Sequence, residues 1–411
     1  MAKRDPLPVW LYGIHAADLS DAGPGRVGLT YSDEALARWA GNVPLLSCSL
    51  PLRPRRQDAS VFCSGLLPEG QHRQAMAAEA RLPAYDTFGL LARFGRDVAG
   101  AVVIGPDAPD RGSGGVEPYT ADALAEEVAA LPDRPLGLHD DSELSIAGLQ
   151  DKLLLIKLDG GWGRPVHGRP STHILKVEDR RFPGLVQAEA ACLALARAVG
   201  LTTVDVEVTT IARLPCLIVS RFDRTVDAAG ELVRIHQEDA CQALGRDPEA
   251  GRGRGKYERA GGPAWRDIGE LLDRYAPDPE HELRRLVEVL VFTILTANAD
   301  AHGKNVALLH PEPEAVALAP MYDTVPTALW PQLRKEAAMS VNGKWRFDHM
   351  TLSDVVEEAR AWRLDPALAE ASGAAMLDRV RSAAKRLDIP KAVVSVVDAK
   401  CESLGRKRGR S

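Results

Sequence analysis

Residues 287–297 read VEVLVFTILTA, and residues 298–305 read NADAHGKN. The first stretch is almost wholly apolar and continues a stripe of apolar residues that returns every three or four positions, which predicts a helix buried in the core. The stripe consists of Leu283, Leu286, Val287, Leu290, Val291, Ile294 and Leu295, and Val289 and Phe292 widen it. The second stretch places Asn, Asp, His and Lys directly after that helix. A polar loop on such a rigid support is a candidate functional site.

Length and charge bound what the whole chain can be. At 411 residues the chain is too long for one ordinary core, which predicts two or three domains and a large buried interior. The 51 basic and 57 acidic residues give a net charge of −6, which argues against binding nucleic acid through overall charge. Two local basic patches remain, RGRGKYER at 252–259 and GRKRGR at 405–410. A solvated loop and a frayed end are the simpler interpretations, and contact with DNA stays open.

The cysteines and the N-terminus indicate the compartment. Six cysteines are scattered without a C-x-x-C pair, which is typical of small core residues in a reducing environment; they are Cys48, Cys63, Cys192, Cys216, Cys241 and Cys401. The N-terminal MAKRDPLPVW has no apolar stretch after its basic residues, so no signal peptide is predicted. No uninterrupted apolar run of about 18 residues occurs, so no membrane span is predicted either. We expect a cytoplasmic protein.

The first hundred residues predict a small, mostly β unit, because short strand-like pieces alternate with turn residues. The predicted strands are VWLYGI at 9–14, RVGLTY at 26–31, PLLSCSLPL at 44–52 and GAVVIG at 100–105. Helices are predicted at 70–82, after the Pro68-Glu69-Gly70 start signal, and at 87–95. The stretch GPDAPDRGSGG at 105–115 is rich in Gly, Pro and Asp and predicts a linker, so we place a domain boundary near it.

The middle of the chain resumes a strand-rich pattern. Strands are predicted for KLLLIKL at 152–158, THILKV at 172–177, VDVEVTTIA at 204–212 and CLIVSRF at 216–222, with a helix over 188–201 and a turn around Arg213-Leu214-Pro215. This order suits the smaller lobe of a nucleotide-binding kinase, although many α/β units share it. Later, Asn342-Gly343 between apolar alternations predicts a hairpin at 338–347, and helices fill most of 353–404.

The polar loop has the spacing that phosphoryl transfer uses. That chemistry needs a carboxylate to orient the attacking hydroxyl and ligands that hold magnesium against the phosphates. Asp300 and Asn305 have the Asp-x-x-x-x-Asn spacing of protein kinases, and His302 occupies the position where lipid kinases carry a His. Asp323, in LAPMYDTVP, is a candidate second magnesium ligand, and Lys176, near the end of an apolar strand, is a candidate phosphate ligand. By type alone Asp300 and Asn305 fit a turn that closes the helix, but the ordered set favours catalysis.

The chain resembles the HipA-type serine/threonine kinases, which are toxins of bacterial type II toxin–antitoxin systems. The motifs that carry this resemblance run from about residue 30 to about residue 380: SLPL at 49, GLLPEG at 65–70, FGLLARFGRDVAGAVVI at 88–104, SIAGLQDKLLL at 145–155, THILKV at 172, VSRFDR at 219–224, HQEDACQALG at 236–245, KYERAGGP at 256–263, NADAHGKN at 298 and MYDTVP at 321. The resemblance implies an α+β, two-lobed kinase-like fold, similar to that of HipA and lipid kinases. It comprises a β-rich N-terminal subdomain at 1–110, a kinase N-lobe at 111–240 and a helical C-lobe at 241–411.

The same resemblance implies a role for each site residue. Asp300 would be the catalytic base, and Asn305 and Asp323 would hold Mg²⁺. ATP would bind the phosphate loop Ala147, Gly148, Leu149, Gln150, Asp151 and Lys152, the phosphate ligand Lys176, the adenine hinge Gln237, Glu238, Asp239 and Ala240, and the pocket residues His302, Gly303, Lys304, Asn305, Tyr322 and Asp323. Glu189 is a possible partner of Lys176. Ser145 matches the autophosphorylated serine of the family, and a phosphate there would eject the ATP loop by charge repulsion.

The resemblance also implies partners and leaves alternatives open. The partner would be a small helix-turn-helix antitoxin, HipB-like, in a heterotetramer on operator DNA, and the substrate would be an aminoacyl-tRNA synthetase. His302 could instead brace its loop, Lys152 and Lys304 could be ordinary surface lysines, and Ser145 could begin a turn. Two other functions compete with a kinase toxin that uses ATP and Mg²⁺. They are a nucleotide-binding pseudokinase that acts as a co-repressor and a small-molecule phosphotransferase.

Overall fold

The computed structural model describes residues 4–108, 114–131 and 151–405. The chain divides into two compact units. Unit 1 comprises residues 1–179, 209–238 and 309–314, and unit 2 comprises 180–208, 239–308 and 315–411. Two strands, β14 (His236–Asp239) and β15 (Ala307–Glu312), carry the chain from one unit into the other.

Unit 1 begins with a five-stranded sheet. Its strands are β1 (Leu7–Leu11), β2 (Ile14–Asp21), β3 (Val27–Tyr31), β4 (Gln57–Asp58) and β5 (Val102–Ile104), in the order β4-β3-β2-β1-β5 with antiparallel neighbours. Four helices accompany it: α1 (Asp33–Arg38), α2 (Ser60–Gly65), α3 (Gly70–Glu79) and α4 (Thr87–Phe94). Buried residues of the strands and of α2, α3 and α4 share one apolar core. The predicted strands at 26–31 and 100–105 and the two longer helices are confirmed.

Two predicted strands of this region are wrong. VWLYGI is not one strand, because Tyr12 and Gly13 have φ of 54° and 81° and form the tight turn between β1 and β2. Residues 44–52 form a loop instead of a strand. Pro44 and Pro51 have no N–H to give to a ladder, and Leu50 N donates to Ser47 O within the loop at 3.0 Å.

The second sheet of unit 1 contains six strands. They are β6 (Gly115–Pro118), β7 (Lys152–Leu158), β8 (Gly161–Val166), β9 (His173–Val177), β10 (Val206–Ile211) and β11 (Leu214–Ser220), in the order β10-β11-β9-β7-β8-β6, with β10 entering the unit at Thr209. Helix α5 (Ala121–Ala130) contributes Leu124 and Val128 to its core, and β12 (Arg224–Val226) pairs with β13 (Leu232–Arg234). The predicted strands are therefore confirmed, but the tight turn lies at Ala212 and Arg213, one residue earlier than predicted.

A buried ionic cluster joins the two sheets of unit 1. Asp97, directly after α4, is 2.8 Å from Arg224 Nη2 and accepts hydrogen bonds from the backbone N and the hydroxyl of Ser171. Asp223 accepts from Arg221 at 2.7 Å and from Gly100 N at 2.7 Å. Burial alone would raise the pKa of Asp97, but the arginines around it hold that pKa below its ordinary value. The motif VSRFDR therefore fastens the second sheet to the first.

Unit 2 is mainly helical and is built around the predicted apolar helix, α10 (Pro279–Leu295). The other helices are α6 (Leu185–Ala198), α7 (Ala240–Leu244), α8 (Ala250–Gly253), α9 (Trp265–Tyr275), α11 (Leu352–Arg360), α12 (Pro366–Arg386) and α13 (Lys391–Leu404). Asp278 caps the start of α10, and Pro279 supplies its first turn. Every residue of the predicted stripe is buried, and α10 packs against α9, α11, α12 and α13. The core position of this helix is confirmed.

The remaining strands of unit 2 are β16 (Ala315–Leu318), β17 (Glu336–Val341) and β18 (Lys344–Arg346). The predicted Asn-Gly hairpin joins β17 to β18, with φ of 49° at Asn342 and 72° at Gly343. All six cysteines are buried and none of them forms a disulfide, as expected. Within the described ranges, no helix has both the length and the apolar character to cross a membrane.

Candidate active site

The loop that follows α10 is tied to its own supports. Thr296 Oγ1 donates back to Phe292 O at 2.9 Å, and Ala297 takes a left-handed φ of 49° that turns the chain away from the helix axis. Thr327 Oγ1 then donates to Ala297 O at 3.0 Å and accepts from Ala299 N at 2.9 Å. The backbone that leads into Asp300 is therefore fixed on both sides by buried hydrogen bonds.

Asp300 is presented half exposed on this loop. Its backbone N donates to Asn298 Oδ1 at 3.1 Å, and its backbone O accepts from Asn305 Nδ2 at 2.8 Å. Its Oδ1 accepts from the Tyr257 hydroxyl at 2.9 Å and lies 3.7 Å from His302 Nε2. The side chain is 54% exposed. An accessible carboxylate on a fixed backbone is what a hydroxyl-orienting base requires.

Asn305 and Asp323 offer the oxygen donors that Mg²⁺ prefers. The Asn305 amide nitrogen is occupied by Asp300 O, so its Oδ1 is the atom left for a cation. Asp323 follows Tyr322 with a φ of 48°, a left-handed conformation that non-glycine residues adopt mostly at constrained sites. Throughout the described residues, no group of three or more His, Cys, Asp or Glu side chains could hold a metal. Two protein ligands suit Mg²⁺, because substrate phosphates and water complete its coordination in kinases.

The neighbouring pocket residues are packed tightly. A Cβ on Gly303 would lie 2.4 Å from Pro263 Cγ and 2.9 Å from Cys241 Sγ, so only glycine fits there. Lys304 is buried and its Nζ lies 3.0 Å from Asp239 Oδ2, while Tyr322 donates to Lys304 O at 2.7 Å. The surface-lysine alternative for Lys304 is therefore wrong. Its ammonium group ties the loop to the start of α7.

His302 is buried beside Asp300, with its ring 5.2 Å from the Tyr257 ring in an edge-to-face arrangement. This packing supplies the bracing contact that was the alternative to contact with ATP. Glu189 lies buried on α6 in unit 2. Its pairing with Lys176 stays a prediction.

Two buried lysines face each other in unit 1. Lys152 and Lys176 are direct cross-strand partners on β7 and β9, so their side chains project from the same face of the sheet. Two ammonium groups on one face of a sheet can bind the charged oxygens of a phosphate together. The surface alternative for Lys152 is wrong, because the residue is buried. The neighbouring Asp151 accepts a hydrogen bond from His72 Nε2 of α3 at 3.1 Å.

The predicted hinge lies on β14 and its exit. Glu238 is buried, and it accepts from the Ser47 hydroxyl at 2.5 Å, from Cys48 N at 2.8 Å and from His310 Nε2 at 3.0 Å. Burial would raise the pKa of Glu238, but these donors hold it below its ordinary value. The loop at 44–52 therefore anchors this strand through the side chain of Glu238.

The backbone amides at the end of the hinge are already engaged. Asp239 N donates to Gln242 Oε1, and Ala240 N donates to Val306 O at 2.9 Å. These two N–H groups are therefore not left for an adenine. Gln237 precedes them on the same strand. Ser145, Ala147, Gly148, Leu149 and Gln150 lie outside the described residues, as does 406–410 of the C-terminal basic patch.

Comparison with known proteins identifies the family. A protein-family model for the HipA-like C-terminal domain matches residues 144–387, which is more than half of the chain, and a model for the HipA N-terminal domain matches residues 7–105. The chain belongs to the HipA family. The protein Y4mE of Sinorhizobium fredii, whose kinase name is provisional, is 36% identical over 367 residues, 87% of this chain and 84% of that protein.

Two further relatives extend this result. The serine/threonine-protein kinase toxin HipA of Shewanella oneidensis is 27% identical over 360 residues, 84% of this chain and 80% of that protein. A solved structure of HipA with HipB and its operator DNA, from Shewanella oneidensis, matches with a TM-score of 0.78 at 23% identity, over 97% of this chain and 95% of that chain. The structural likeness shows the α+β, two-lobed kinase-like HipA fold. The homology supports a HipA-like kinase.

One HipA motif carries contacts that sequence reasoning missed. The interpretation of segment 252–259 as a solvated basic loop is wrong for its second half. Lys256 is buried and its backbone O accepts from Gly303 N at 3.0 Å, Tyr257 contacts Asp300, and Glu258 accepts from the Ser340 hydroxyl at 3.0 Å. The sequence does indicate these contacts, because Tyr257 and Glu258 interrupt the basic residues and a purely solvated basic run needs no aromatic residue.

Proposed function

We propose that this HipA-family protein is an ATP- and Mg²⁺-dependent serine/threonine-protein kinase and the toxin of a type II toxin–antitoxin system. The observation that carries the proposal is the loop after α10, where Asp300 is half exposed and Asn305 is held on the same backbone. In the transfer step, Asp300 accepts the proton of the substrate hydroxyl while the oxygen of that hydroxyl bonds to the γ-phosphorus of ATP. The bond from that phosphorus to the β,γ-bridging oxygen breaks, and ADP leaves.

The other site residues take roles that fit their surroundings. Asn305 and Asp323 would hold Mg²⁺, which neutralises phosphate charge when bound. Lys152 and Lys176, paired across β7 and β9, would bind the phosphates together with Ala147–Asp151. Gln237–Ala240 would meet the adenine, and His302, Gly303, Lys304 and Tyr322 would line the nucleotide pocket.

Regulation and partners follow from the family. Autophosphorylation of Ser145 would place nearly two negative charges beside the phosphate loop and switch the enzyme off. The partner of this chain would be a small helix-turn-helix antitoxin, HipB-like, in a heterotetramer on operator DNA; a complex of HipA with HipB and operator DNA is known for a similar chain and supports a partner of this kind. The target would be a serine of a cytoplasmic aminoacyl-tRNA synthetase.

Replacing the proposed base tests the activity. Asp300→Asn keeps the shape of the side chain but removes its basicity, so phosphate transfer should fall by roughly 10²- to 10⁴-fold. The measurement is transfer of labelled γ-phosphate from ATP to the protein itself and to a bacterial lysate, with mass spectrometry of the labelled products. The matched control is Asp159→Asn, at an exposed turn between β7 and β8, which should behave as wild type.

The outcomes separate the competing functions. Full activity of Asp300→Asn would contradict the assignment of the base. Wild-type protein that binds ATP but never labels any protein would favour the pseudokinase, and labelling of a small molecule alone would favour a small-molecule phosphotransferase. One labelled lysate protein would identify the target.

A further inference from the structure

We propose that Tyr257 is a positioning residue for the catalytic carboxylate: it holds the plane of the Asp300 carboxylate so that one oxygen faces the substrate hydroxyl. The inference rests on the proposed kinase function. Tyr257 lies 43 residues before Asp300 in the sequence, and its hydroxyl donates to Asp300 Oδ1 at 2.9 Å. The transfer step proposed above does not use Tyr257.

The hydrogen bond makes the two carboxylate oxygens different. Oδ1 is occupied by the Tyr257 hydroxyl and lies beside His302 Nε2. Among the described residues, Oδ2 accepts no hydrogen bond. Since the side chain is half exposed and its terminal torsion is broad, the plane of the carboxylate would otherwise be poorly defined. The hydrogen bond to the phenol restrains this torsion and leaves the second oxygen, here Oδ2, available to the incoming hydroxyl.

Tyr257 is itself held firmly enough to perform this task. Its ring packs edge-to-face on the His302 ring, and the Arg334 guanidinium lies 4.3 Å from the centre of the Tyr257 ring. A cation over the ring draws electron density from it, which strengthens the phenol as a donor. The flanking residues are fixed too, because Lys256 O accepts from Gly303 N and Glu258 accepts from the Ser340 hydroxyl.

This arrangement gives the proton of the acceptor hydroxyl one destination. The proton moves to Oδ2 as the acceptor oxygen bonds to the γ-phosphorus, and the departing ADP takes the electron pair of the broken P–O bond. Tyr257 keeps its own proton throughout and touches neither substrate. Its loss should therefore lower the turnover number and leave the affinity for ATP unchanged.

The test is Tyr257→Phe, which removes only the hydroxyl and keeps the ring between His302 and Arg334. A hydrogen bond to a charged group is stronger than one between neutral groups, and Asp300 is half solvated, so kcat should fall by about tenfold. The KM for ATP should stay within about twofold. The readout is ADP release from ATP, which reports transfer to any hydroxyl, including water.

Two controls keep the result specific. Tyr85→Phe removes the same atom at a tyrosine that is 61% exposed, and it should match wild type. Rates are expressed per nucleotide site, counted by titration with a fluorescent ATP analogue, so that a partly unfolded sample cannot imitate a slower enzyme.

Each outcome decides the proposal. A lower kcat with unchanged KM for ATP in Tyr257→Phe supports it. A kcat within twofold of wild type, or a higher KM at unchanged kcat, overturns it. If Asp300→Asn is inactive in either of those cases, the kinase assignment stands and only the role of Tyr257 is lost. Wild-type protein without any ADP release, or an active Asp300→Asn, defeats the kinase proposal itself.

Discussion

Removing the charge of Asp97 should destabilise unit 1 severely. Asp97 is completely buried, and its carboxylate faces Arg224 at 2.8 Å, Arg234 at 3.6 Å and Arg221 at 3.7 Å. In Asp97→Asn, Asp223 is the carboxylate that remains, among the described residues of the cluster, to balance the guanidinium groups of Arg221, Arg224 and Arg234. Breaking a buried ion pair from one side costs roughly 3–5 kcal/mol, because an uncompensated charge stays in the interior.

The stability contribution of this buried cluster can be compared with that of an exposed ion pair in the same unit. Arg164 and Glu117 are only 2.6 Å apart, but Glu117 is 58% exposed. Exposed pairs contribute about 0–1 kcal/mol, because water screens them. Glu117→Gln is therefore the matched control, with a similar distance and a different burial.

Thermal unfolding followed by near-ultraviolet circular dichroism measures the difference. For units of this size, 1 kcal/mol shifts the melting temperature by roughly 2–4 °C, so Asp97→Asn should melt about 10 °C lower and Glu117→Gln within about 3 °C of wild type. The reasoning is refuted if both variants melt within about 3 °C of wild type. That result would mean that the buried ionic cluster contributes little to the stability of unit 1.

Two further predictions concern the site and its pH dependence. Gly303→Ala should lower the rate of ADP release at least tenfold and the free energy of unfolding by about 1–3 kcal/mol. The reason is that the new Cβ would overlap Pro263 and approach Cys241. An unchanged rate of ADP release would contradict this close packing. Burial lowers the pKa of His236 in the folded protein to about 4. In the unfolded chain this histidine binds a proton as soon as pH falls below about 6.5, whereas in the folded protein it stays neutral. The free energy of unfolding should therefore drop by about 2 kcal/mol between pH 7 and pH 5 because of His236. Urea unfolding at both values checks this, and a drop of the same size in His236→Phe would refute it.

Local patterns predicted the elements that carry the candidate site. The period of the apolar stripe predicted α10 and its burial, and the spacing of Asp300 and Asn305 identified the loop that follows. The Asn342-Gly343 pair predicted its hairpin, because few residues accept φ above zero. The prediction failed at residues 44–52, where apolar composition resembled a strand. What fixed that segment was its contact with Glu238, 190 or more residues away.

The sequence by itself determined the HipA fold and the residue types for phosphate transfer, since helix and strand periods and catalytic spacings are local properties of the chain. Only the tertiary structure decided which distant groups meet. It placed Lys152 opposite Lys176 through the register of β7 and β9, and it brought Tyr257 to Asp300 across 43 residues. Such contacts depend on how whole elements pack, and no periodicity in the chain encodes a pairing between side chains that far apart.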